Sequence, residues 1–86
     1  MERKLSAIEE KKGNCLELDL SGLSCPLPIL KTKKQLNSLE SGDLLFVIST
    51  DSGSYNDFKY FCEHSGHDLI SREAKGNKFL FLIKKK

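Results

Sequence analysis

Two unbroken apolar runs, LLFVIS (Leu44 to Ser49) and KFLFLIK (Lys78 to Lys84), constrain this chain more than any other feature. Each has the length of a strand and neither keeps a wet face, so both belong in the middle of a sheet. Leu16 to Leu20 and Asp68 to Ala74 instead alternate apolar with polar residues, which suits the sheet's edges. Between these segments lie two helical stretches. Pro26 opens one that runs to about Leu39 and stops at Ser41-Gly42. Ser54, with Asp57 three residues on, reads as the capped start of the other, which continues to Ser65 and ends at Gly66.

The resulting order is β-α-β-α-β-β. A helix joins the first two strands, so they are expected to be parallel, with a right-handed crossover and both helices on one face. This is an α/β two-layer sandwich. Its two β-to-α loops, 21–24 and 50–53, then emerge at the same end of the sheet, where ligand sites of such folds collect.

The chain has 86 residues, enough for one domain with a modest core, placed here at residues 15–86. Met1 to Asn14 is mostly charged and closes on Gly13-Asn14; it reads as a mobile extension, with a short fraying helix through Leu5 and Ile8. No apolar run approaches the ~20 residues of a membrane span, and no apolar block follows the charged N-terminus. A cytoplasmic monomer without membrane contact is expected. A net charge of +2 is too small to argue for direct nucleic-acid binding. The three cysteines form no C-x-x-C pair, so neither a disulfide framework nor a metal site is expected.

The stretch LSCPLP (Leu23 to Pro28) sits between a strand and a helix. A residue before proline is pushed out of helical geometry, while proline itself is favoured at the first helical position. Cys25 is therefore the expected N-cap, with Pro26, Leu27 and Pro28 forming the helix N-terminus and the Leu27 amide free to point at the sulfur. Such a setting favours a thiolate or another sulfur anion. The bland reading, a cysteine serving only as a small cap, is weakened because Ser, Thr, Asp and Asn are the preferred caps. Cys25 also has no expected disulfide partner. Cys15 lies a strand away, roughly 15 Å, and Cys62 about 12 Å down the second helix, against the ~7 Å between α-carbons that a disulfide needs. Cys62 shares a helical face with Tyr55, Phe58 and Phe61 and reads as core.

At these residues the sequence resembles the TusA/SirA-like family of small sulfur carriers. The likeness covers about Leu16 to Lys84. It centres on GLSCPLPILKTKKQL (Gly22 to Leu36), with its C-P-x-P motif, and extends to the "SGD" entering the second strand and the Phe61-Cys62 pair. The resemblance implies a mixed four-stranded sheet of order 1-2-4-3. It implies that Cys25 carries a persulfide, accepted from a cysteine desulfurase or rhodanese-type donor and passed to a downstream acceptor protein, with no cofactor beyond that covalent intermediate. In one branch of the family the sulfur ends in thiolated tRNA. Members of that branch usually have Arg where Ser24 stands, Asp-Pro where Asp51-Ser52 stands, and proline in place of Lys59. These departures bear on pathway and partners and leave the sulfur chemistry untouched.

On the first helix Ile29, Thr32, Leu36 and Leu39 share the face expected to bury. Leu27, Leu30, Lys31 and Lys34 lie roughly opposite, either as a docking surface for an acidic partner or as a solvated basic face. Asp51 and Asp57, near the second β-to-α loop, are expected to cap the helix, with a contribution to the sulfur site open. His64 and His67 read as complements to a helix C-terminus. Lys84 to Lys86 should lie at the sheet end away from Cys25. A competing function, a non-catalytic protein- or RNA-binding regulatory module using the same face, would survive Cys25→Ser; a carrier would not.

Overall fold

The computed structural model describes residues 15–86, so the expectation for the N-terminal extension lies outside the described residues. The elements are β1 (Cys15–Leu20), α1 (Leu27–Asn37), β2 (Leu44–Ser49), α2 (Ser54–Ser65), β3 (Asp68–Lys75) and β4 (Lys78–Lys84). The sheet order is β1-β2-β4-β3. β1 pairs parallel with β2, while β2–β4 and β3–β4 are antiparallel. The two apolar runs are the central strands.

On β2 the side chains of Leu45, Val47 and Ser49 are buried, and on β4 those of Phe81 and Ile83. Phe58 and Cys62 of α2 and Leu36 of α1 join them in the core. The Phe58 and Phe81 rings meet at 4.3 Å between centroids. Burying each such aromatic side chain contributes roughly 1.5–3 kcal/mol. The alternate residues Phe46 and Ile48 stay only half-buried beside Leu82 and Leu80, their register partners, because the helices cover one face of the sheet. At the β3 edge, Arg72 lies 4.0 Å over the Tyr55 ring and donates to the Tyr55 carbonyl at 2.9 Å.

Two helix boundaries differ from the sequence reading. α1 ends at Asn37 rather than near Leu39, because the Ser38 and Leu39 amides turn back onto the Gln35 and Leu36 carbonyls. For α2 the N-cap is Gly53, and Ser54 is the first helical residue. The Ser54 hydroxyl donates backwards to the Asp51 carbonyl at 2.6 Å instead of capping forwards. The other end of α2 closes on Gly66, whose φ of 87° is the left-handed cap that glycine adopts without strain.

The C-terminal lysines lie at the sheet end away from Cys25, and they are built into the fold. The Lys85 amide donates to the Asp43 carbonyl at 2.8 Å, and its ammonium reaches the Leu36 carbonyl at the end of α1, 2.9 Å away. The Ser41 hydroxyl donates to the Lys86 carbonyl. The Lys86 amide donates to His67 Nδ1 at 3.2 Å. Only an unprotonated Nδ1 can accept that bond, and burial, then Lys85 and Lys86, hold the His67 ring below its ordinary value of 6.5. A group depressed in this way contributes stability that is present above the unfolded value and lost as the pH falls through the folded one. The melting temperature should therefore fall between about pH 7.5 and pH 5, and His67→Gln should flatten that slope. An unchanged slope in the variant, followed by circular dichroism, would contradict the assignment.

Candidate functional site

The loop after β1 is built from short hydrogen bonds. The Ser21 amide and hydroxyl both donate to Asp19 Oδ1, at 3.0 and 2.7 Å, and hold that carboxyl below its usual range. Gly22, at φ 86°, sends its amide to Thr50 Oγ1 at 2.8 Å, which ties the first β-to-α loop to the second. The Leu27 amide then donates to the Ser24 carbonyl at 3.0 Å, closing a turn with Cys25 and Pro26 as its central residues. The Cys25–Pro26 peptide bond is cis.

This turn corrects the expected capping. Pro26 (φ −98°, ψ 12°), not Cys25, is the N-cap of α1, and its carbonyl accepts from the Leu30 amide at 3.2 Å. The Leu27 amide is engaged by Ser24 and is not free for the sulfur. The turn absorbs the residue that the sequence reading placed at the helix boundary, so α1 starts one position later. Pro28 falls in the first helical turn, where a missing N–H costs nothing, and its ring is fully buried. Cys25 is exposed between an anchored loop and an anchored proline.

A largely apolar groove of about 610 Å³ runs from Cys25 and Pro26 along the seam between the helices. Ile29 and Lys33 of α1 form one wall; Asp57, Phe61 and His64 of α2 form the other, with Tyr60 and Ser65 at its margin. Tyr60 is 60% exposed. His64 Nδ1 faces the Tyr60 carbonyl at 2.8 Å and donates to it.

The other candidates are distributed differently. Leu27 and Leu30 are 43% and 54% exposed on the outer surface of α1. Lys31 and Lys34 border a separate cleft with Leu18 beside β1. Asp57 lines the thiol's groove, whereas one carboxylate oxygen of Asp51 is buried without a hydrogen-bond partner. The two carboxylates bracket Gly53: a Cβ there would stand 3.4 Å from Asp51 Oδ2 and 3.7 Å from Asp57 Oδ2. Neither makes a side-chain capping bond to α2. No group of three metal-ligating side chains occurs among the described residues, and no helix among them is long and apolar enough to cross a membrane. The sequence reading missed Phe61 and His64 as groove wall and Tyr60 at its margin. The wall's signal is the stripe Asp57, Phe61 and His64 at helical spacing, which continues past the core face.

The three thiols occupy unlike settings. Cys15 is exposed at the start of β1, Cys25 is exposed at the groove, and Cys62 is buried. Burial, with Asp68 nearby, pushes the Cys62 thiol up to about 11, so it stays protonated and inert at neutral pH.

The family described as sulfurtransferase TusA matches residues 16–85. A sulfur carrier protein TusA from Allochromatium vinosum is 55% identical over 69 residues, spanning 80% of this chain and 91% of that protein. One from Pseudomonas syringae is 40% identical over 70 residues, covering 81% and 83%. The SirA-like protein of Desulfitobacterium hafniense shares the fold, with a TM-score of 0.67 at 24% identity over 80% of this chain and 93% of that one.

Alkylation of the native protein with iodoacetamide near neutral pH should modify Cys15 and Cys25 and spare Cys62 until the fold is denatured. Peptide mass mapping reads the outcome. Cys62 labelled as fast as Cys15 would contradict the burial argument.

Proposed function

The chain belongs to the TusA sulfurtransferase family, and we propose that Cys25 is the residue on which this sulfur carrier bears its cargo. The observation that carries this reading is the combination of an exposed thiol with a shaped apolar groove, which among the three cysteines only Cys25 has.

The chemistry is two successive thiol–disulfide exchanges. The Cys25 thiol loses its proton to solvent, and the thiolate attacks the outer sulfur of a donor's cysteine persulfide. A new S–S bond forms to Cys25 as the donor's S–S bond breaks, and the donor leaves as its thiolate. Onward transfer repeats the step with the acceptor's thiolate as nucleophile and Cys25 as leaving group. No electron is gained or lost, so no resident cofactor is called for. The donor is a cysteine desulfurase or rhodanese-type protein, and the acceptor a downstream sulfur-handling protein, toward tRNA thiolation or another sulfur pathway. Leu27 and Leu30, exposed in the N-terminal part of α1, supply apolar contact for that docking.

Incubation with a cysteine desulfurase and cysteine should add the mass of one sulfur atom, mapped by peptide mass spectrometry to Cys25. Leu27→Glu with Leu30→Lys should slow loading from the protein donor and leave loading from a small persulfide unchanged. Equal loading of Cys15 would contradict a privileged Cys25.

A further inference from the structure

The groove beside Cys25 does not stop at His64. Lys33, Phe61, His64 and Ser65 are shared with a second depression of about 320 Å³, whose far wall is made by Asn37, His67, Lys85 and Lys86. The two form one trough along the α1–α2 seam, and its ends differ in chemistry. At the thiol end the charged group is the Asp57 carboxylate. The middle is the apolar surface of Ile29 and Phe61. Lys33 stands where the two depressions meet, and Lys85 and Lys86 stand at the far end, with no carboxylate side chain among the residues lining the second depression. The Lys85 ammonium donates to the Leu36 carbonyl, 2.9 Å away. Lys33 lies two helical turns beyond Pro26, roughly 10 Å along α1.

We propose that this trough receives an extended, acidic-ended peptide segment of the transfer partner, an inference that rests on Cys25 being the sulfur-bearing residue. The partner's cysteine lies at the thiol end, and its apolar side chains cover Ile29 and Phe61. Its Asp or Glu side chains reach the lysines about three residues further on, at ~3.3 Å per extended residue. Charge complementarity at one end only fixes the direction in which the segment lies. A polynucleotide fits this pattern poorly: its phosphates recur at every step, one of them against Asp57, while the cations are gathered at the other end.

The test is direct binding to the full chain carrying Cys25→Ala, so that no sulfur chemistry enters. The probe is a fluorescein-labelled peptide of one serine, three leucines and three glutamates in that order, followed by anisotropy. Lys33→Glu with Lys86→Glu should weaken binding by about tenfold or more. Lys75→Glu with Lys78→Glu makes the same change in net charge at the β3–β4 hairpin and should leave binding within about twofold. Equal loss in both double variants would overturn the proposal, since it would mark diffuse electrostatics. So would failure of the peptide to bind, or tighter binding of an oligouridylate of similar charge. Thermal melts check that the variants fold; if the variant with Lys86→Glu does not, Lys33→Glu by itself decides. Sulfur loading of the wild-type chain is scored separately. Failed loading overturns the carrier reading, whereas failed peptide binding with loading intact overturns only the trough.

Discussion

The parallel pairing of β1 with β2 is the constraint on which the thiol's surroundings depend. Because the two strands run the same way, α1 must cross over between them, and both β-to-α loops finish at one end of the sheet. The bond from the Gly22 amide to Thr50 Oγ1 joins those loops across 28 residues of sequence. α2 consequently starts beside α1, and the helices share a seam that begins at Cys25. An antiparallel β1 would send its loop to the other end of the molecule and leave the cysteine without the α2 wall.

Within that frame the chain meets two opposed demands on one residue. A transferring sulfur must be exposed to a partner, yet an exposed loop residue has no packing to hold it. The solution lies in its neighbours. The Ser24–Leu27 turn fixes the backbone on both sides of Cys25, and the buried Pro28 ring anchors α1 directly behind it. Cys62 shows the contrast, since burial protects that thiol and makes it chemically idle. On the proposed reading, relay through Cys25 rests on local rigidity around an accessible atom.

The sheet was legible in the sequence because strand periodicity and apolar runs report burial directly. LLFVIS and KFLFLIK had to be central, and the order β1-β2-β4-β3 follows once the C-P-x-P motif and its context are read. The helix boundaries were less legible. Ser and Thr side chains, and turns closed by single hydrogen bonds, compete with capping on nearly equal terms, so Cys25, placed at the cap by the proline after it, and Ser54, placed there by its residue type, each fell one position away. The groove was legible only in part, as the stripe Asp57, Phe61 and His64 on α2. Its other wall depends on the approach of α1 to α2, which no single-helix pattern encodes: Ile29 packs against the core and His64 complements the end of α2, as read, and both also line the groove. Lys31 and Lys34, read on one face with Leu27 and Leu30, border a separate cleft with Leu18. Lys85 and Lys86, read as a tail, are anchored by Asp43, Leu36 and His67.

The central claim is that one thiol, Cys25, carries the sulfur and that the other two are bystanders. A single-turnover relay with radiolabelled cysteine, a cysteine desulfurase and a thiol acceptor tests it most directly. The Cys15→Ser/Cys62→Ser chain should pass label to the acceptor at the wild-type rate, and the Cys25→Ser chain should pass none above the level without carrier. Relay that persists in Cys25→Ser, or that disappears in the double variant while its fold is intact, would contradict the account.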